Sequence, residues 1–183
     1  WNSRRFAELL TRFQLDPEKK IGELSRGMQM KLMLACAFSY NARLLILDEP
    51  TSGLDPVSRD ELLTILSEYI EDGEHSVLFS THITSDLERI ADYITYIRYG
   101  ELFFSGGKDE FVDLFRLVKG GRQEPTGELR RKAAGIREFP TGFEALIPAK
   151  DCALFTGLDI EPASIDDIVV FTAAAGKENR SDE

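Results

Sequence analysis

The chain has 183 residues, 43% of them hydrophobic and 30% charged, which fits one globular domain, or one domain with a small appendage. Its formal net charge of −10 opposes binding to nucleic-acid phosphates, and no dense basic stripe offsets it, so no nucleic-acid partner is expected. No apolar run reaches the length of a membrane helix, and Cys36 and Cys152 are too few and too far apart for a disulfide framework or a metal knuckle, as suits a reducing cytoplasm.

The chain opens on Trp1 rather than Met, and Trp1-Asn2-Ser3-Arg4-Arg5 is no secretory signal, so a segment upstream is expected. Ser3 can cap a helix whose apolar residues Phe6, Leu9, Leu10 and Phe13 recur at helical spacing, and Asp16-Pro17 breaks it. A second helix is predicted from just after Ser25 to about Ser39; it is apolar nearly all round and expected to be buried. Leu44-Leu45-Ile46-Leu47 is a continuous apolar run, predicting a strand covered on both faces. Asp55-Pro56 opens a helix with a stripe of Leu62, Leu63, Leu66, Tyr69 and Ile70, ended by Asp72-Gly73. Val77–Ser80 reads as a second buried strand and Asp86–Ala91 as a helix, a rhythm that predicts a parallel α/β sheet. Tyr93–Arg98 and Glu101–Ser105 flank Tyr99-Gly100 as a hairpin, and a helix near Lys108–Phe115 follows.

Past about Leu117 the character changes. Gly120-Gly121 and Pro125-Thr126-Gly127 punctuate the chain, and Arg130-Arg131-Lys132 reads as a solvated helix face. Ile136–Phe139 and Phe143–Ile147 are strand candidates, and Ser164-Ile165-Asp166-Asp167 has the pattern of a capping box. The expected division is residues 1–117 (a helical part to Asn41, then 42–117), a small α+β appendage over 118–172, and a disordered tail over 173–183.

Four features carry chemistry. The run Leu44–Leu47 delivers Asp48 and Glu49 to a strand's carboxyl end, where open α/β sheets bind ligands. One acid there can hold Mg²⁺ through its water shell and the other can activate water, although solvated acids can also simply end a buried strand. Thr51-Ser52-Gly53-Leu54-Asp55 follows directly and is equally what a turn leading to a cap requires. Ser80-Thr81-His82 ends the next strand at the same edge, where an imidazole can donate to a terminal phosphate. Leu24-Ser25-Arg26-Gly27-Met28 starts the second helix and presents backbone N–H groups to an anion, or no more than a serine cap.

In order and spacing these features resemble the ATP-binding cassette (ABC) family over roughly Trp1–Ser105, more loosely to Leu117. The resemblance implies a partial P-loop NTPase core of α/β class, with parallel strands, a helical subdomain and a C-terminal α+β appendage. It implies that Asp48 positions Mg²⁺, Glu49 is the general base or water orienter, and His82 senses the γ-phosphate of ATP. It makes Ser52, Gly53, Leu54 and Asp55 the D-loop at a dimer interface. Leu24, Ser25, Arg26, Gly27 and Met28 become the signature that closes over ATP on the opposite subunit. The implied partners are a second ATPase subunit and integral membrane subunits, on the inner face of a membrane, with bacterial export as the implied work. Soluble ABC-type ATPases of DNA repair or translation share these motifs, and a non-catalytic dimerisation module is a third class. The chain departs from the family at Arg26 and Met28, where Leu-Ser-Gly-Gly-Gln is usual. It also contains no Gly-x-x-x-x-Gly-Lys-Ser/Thr: Gly107-Lys108 precedes Asp109, and Gly176-Lys177 precedes Glu178. In the family this Walker A loop lies upstream of the signature. Without it nothing cradles the β and γ phosphates, so the chain alone is expected to be inactive.

Overall fold

The computed structural model describes residues 1–40, 42–121 and 125–178, with the side chains of 175–178 excepted. It divides into two compact units, Trp1–Asp86 and Leu87–Glu183. The boundary expected at Asn41 lies outside the described residues, as does the tail from 179.

The first unit opens with α1 (Ser3–Arg12), capped by Asn2, whose side chain accepts from the Arg5 N–H at 3.0 Å. Ser3, the expected cap, is already helical; Asn2 has the extended backbone a cap needs. After the turn at Gln14 and a short 3-10 turn (Ile21–Glu23), α2 (Arg26–Ser39) starts where expected. Its burial is one-sided rather than all-round. Leu34, Ala35 and Phe38 are enclosed while Met33 is exposed, because α2 packs on α1 and α3 and keeps a solvent face. The Phe38 ring stacks on Tyr69 with centroids 4.2 Å apart, joining α2 to α3 (Pro56–Ile70).

Strands β1 (Leu44–Asp48) and β2 (Ser76–Ser80) run parallel, Leu44 opposite Ser76 and Asp48 opposite Ser80. Both were expected to be covered on two faces, and neither is. Leu45 and Leu47 are buried, but Ile46 is 72% exposed and Leu78 60%. The reason is topological: this sheet has two strands, α3 packs on it, and among the described residues nothing shields the Leu44, Ile46 and Leu78 face. Past β2 the chain enters α4 (Thr84–Ile90).

The second unit begins in α4 and forms a hairpin, β3 (Tyr93–Arg98) and β4 (Glu101–Gly107). Its turn has φ of 52° at Tyr99 and 82° at Gly100, the left-handed pair whose twist matches two antiparallel strands. Helix α5 (Lys108–Asp113) is shorter than expected, because Phe115 opens β5 (Phe115–Gly120). Then come α6 (Gly127–Lys132), β6 (Gly135–Phe139), β7 (Gly142–Pro148), a 3-10 segment (Ala149–Phe155) and β8 (Asp159–Pro162). The antiparallel sheet has the order β6-β7-β5-β8. One core holds Phe111, Phe115, Leu117, Leu146 and Phe171; the other holds Val118, Leu129, Phe143, Ile147 and Phe155. The last helix, α7 (Ile165–Glu178), starts at the expected box: Ser164 Oγ accepts from Asp167 N–H at 3.0 Å, and the Asp167 carboxylate accepts from Ser164 N–H at 2.9 Å.

The division expected at Leu117 does not coincide with these units. Leu117 lies within β5 and shares a core with Ile94 of the hairpin and Phe111 of α5, so the hairpin groups with the sheet that follows it. The tail expected to be disordered from Ala173 is helical through Glu178, continuing the apolar helix that buries Ile168 and Phe171.

Candidate functional site

Strand β1 places Asp48 at its carboxyl end, and the chain then turns sharply: Glu49 has φ of 47°, rare for a residue with a side chain. Two hydrogen bonds hold it there. The Glu49 N–H donates to the carbonyl oxygen of Ser80 at 3.1 Å and to its hydroxyl oxygen at 3.2 Å. The Ser80 hydroxyl in turn donates to Asp48 Oδ1. The end of β2 thus fixes the direction of both acids.

Two residues on, His82 brings its Nδ1 to 2.8 Å from Glu49 Oε2. The contact has ion-pair distance without hydrogen-bond alignment, so Oε2 is buried and has no hydrogen-bond partner. An unsatisfied buried carboxylate oxygen is costly and points to a group the site is shaped to receive. Asp48, Glu49 and His82, which the sequence placed on one rim, do lie together. The motif Ser80-Thr81-His82 gives Ser80 no role of its own; that role depends on the parallel register of β1 and β2.

The segment after Glu49 is a tight turn. Ser52 N–H donates to the Glu49 carbonyl at 3.1 Å, Leu54 N–H donates to that of Thr51 at 3.2 Å, and Gly53 has φ of 71°. Asp55 then caps α3, accepting from the N–H groups of Val57 and Ser58 at 3.0 Å each. The Ser58 hydroxyl, and then its backbone N–H, hold the Asp55 carboxyl below its ordinary range. Beneath the turn lies a group that sequence reasoning missed. Buried Thr51 donates its hydroxyl to Asp86 Oδ2 at 2.5 Å, and Arg59 Nε donates to Asp86 Oδ1 at 2.6 Å.

The segment Leu24–Met28 meets this turn. Leu24 is buried, and Ser25 Oγ accepts from the Met28 N–H at 3.3 Å. The Arg26 guanidinium lies over Gly53, where an added Cβ would stand 2.6 Å from Nη1. Gly27 faces Ser58 so closely that a Cβ there would lie 2.9 Å from the Ser58 hydroxyl.

Among the described residues no cluster of three His, Cys, Asp or Glu could cage a metal. Asp48, with the Glu49 carboxylate beside it, is of a type that suits a hard cation completed by other oxygen donors.

Comparison with known proteins agrees with the motif order. Residues 1–52 match a family model described as ABC transporter. The chain is similar to the ABC-type transporter ATP-binding protein EcsA of Bacillus subtilis, 34% identical over 134 residues, which is 72% of this chain and 54% of that protein. Among solved structures it is similar to cbiO1 of Clostridium perfringens, part of the cbiONQ ABC transporter complex, with TM-score 0.52 and 25% identity over 60% of this chain and 44% of that one. It is similar as well to the ATP-binding cassette MJ0796, solved as a dimer with ADP and Pi, with TM-score 0.50 and 25% identity over 57% of this chain and 46% of that one. The chain thus spans about half the length of these proteins or less.

Proposed function

On the premise that this chain is related to the ATP-binding proteins of ABC transporters, we propose that it carries the water-activating half of an ATPase that drives transport across a membrane. The observation that carries this reading is the meeting of Asp48, Glu49 and His82 at one edge of a parallel strand pair, with a Glu49 oxygen left without a hydrogen bond. In that role the Glu49 carboxylate orients or deprotonates the attacking water. His82, with Nδ1 turned to Glu49, keeps Nε2 for a terminal phosphate, and donates to it when that nitrogen carries a proton. Asp48 would be the residue that holds Mg²⁺, and the metal when bound would offset charge building on the phosphate oxygens. The Walker A loop is supplied by a segment other than these 183 residues, which contain none.

Dimerisation and docking on membrane subunits belong to the same proposal. The relative MJ0796 was solved as a dimer, and cbiO1 is part of a transporter complex. Separate membrane subunits and a place on the inner membrane face are part of this reading; among the described residues no helix is long and apolar enough to cross a membrane. An export direction remains part of the proposal.

The test is Mg-ATP hydrolysis by the full-length protein carrying this chain. Glu49→Gln should lower turnover by about 10²-fold or more while nucleotide still binds; unchanged turnover would overturn the reading. The 183-residue chain alone should show no hydrolysis above background; turnover by that chain that Glu49→Gln abolishes would refute its need for a Walker A loop supplied elsewhere.

A further inference from the structure

Asp86 is, among the described residues, the one charged side chain with no exposure at all. Burying a carboxylate is costly unless it is paired and fully hydrogen-bonded, and here it is both. Oδ2 accepts from the buried Thr51 hydroxyl at 2.5 Å, while Oδ1 accepts from Arg59 Nε at 2.6 Å and lies 2.5 Å from Nη2. The same guanidinium donates to Ser85 Oγ at 2.6 Å. Thr51 stands two residues after Glu49, and Asp86 four after His82.

We propose that Asp86 is a positioning residue that sets the spacing of Glu49 and His82 by tying together the loops that carry them. The two loops leave neighbouring parallel strands and are tied twice: at the strand ends by Ser80, and beyond them by Asp86 through Thr51 and Arg59. Between these ties the Glu49–His82 contact has no aligned hydrogen bond of its own. Its 2.8 Å separation is therefore imposed from the flanks. The proposal rests on the reading that Glu49 and His82 act as a pair on phosphate and water.

The experiment uses the ¹⁵N-labelled chain at neutral pH and reads the ring nitrogens of both histidines by long-range ¹H–¹⁵N spectra. Glu49→Gln defines where the His82 signals move when its neighbour loses its charge. Asp86→Asn and Thr51→Val should each shift the His82 ring nitrogens toward those positions, and Thr51→Ser, which keeps the hydroxyl, should leave them in place. His75, paired with Asp72 at 2.7 Å, should not move in any variant and reports that the fold is intact. If Asp86→Asn does not fold, the Thr51 pair decides. A folded Thr51→Val or Asp86→Asn protein with His82 at its wild-type positions would overturn the positioning role. That result would leave the hydrolytic reading standing, since the nucleotide assay with Glu49→Gln tests it separately.

Discussion

Gly53 shows what single residues contribute to this site. Its φ of 71° is open to glycine and strained for other residues. Gly53→Ala should cost about 1–2 kcal/mol, read as a lower urea midpoint. The Arg26 guanidinium over it is the end of a flexible chain and can swing aside, so adding Arg26→Ala should recover little of the loss. Two carboxylates respond to acid. Asp55 is held low by the Ser58 hydroxyl and N–H, and Asp72 by the Glu74 N–H ahead of its contacts with His75. A depressed folded-state pKa means that the stabilisation is complete above the unfolded value, about 4, and fades as pH falls through the folded one. Asp55→Asn and Asp72→Asn proteins should therefore lose less stability than wild type between about pH 5 and 2, followed by chemical denaturation. At this scale the sequence was legible where candidate residues sit in short motifs: it led to the meeting of Asp48, Glu49 and His82. Ser80, Arg59 and Asp86 were not, because each acts through a residue some thirty positions away, or nearly so, that only the fold brings close.

Elements were legible where one period or one cap decided them. The Tyr99-Gly100 hairpin, the Asp55-Pro56 helix start and the Ser164 box all stand where local chemistry puts them. Burial was harder to read, because an apolar run states what a strand prefers and not what neighbours it finds. Leu45 and Ile46 are adjacent in β1, one buried and the other 72% exposed. Replacement should separate them. Leu34→Ala in α2, fully enclosed, should cost about 2–5 kcal/mol, whereas Ile46→Thr should stay within about 0.5 kcal/mol. Thermal and urea unfolding of the two variants side by side would check this. The strand β8 went unseen because its four residues, Asp159–Pro162, have no apolar alternation; pairing with β5 makes it a strand.

For the molecule as a whole, a net charge of −10 works against the exposed Leu44, Ile46 and Leu78 face. Like charges keep copies apart at low ionic strength, and salt screens that repulsion over about 10 Å at 0.1 M. Self-association of the chain should rise with salt, and Ile46→Thr should reduce it; sedimentation velocity at two ionic strengths would tell. The backward bend at Glu49 has a last consequence, for how such a protein can change over time. Its left-handed backbone disfavours branched replacements such as valine but admits glutamine as readily as glutamate. On the proposed reading, a single nucleotide substitution would therefore silence hydrolysis and leave the bend intact, so that a copy of this gene could drift from engine to scaffold without first passing through a misfolded form.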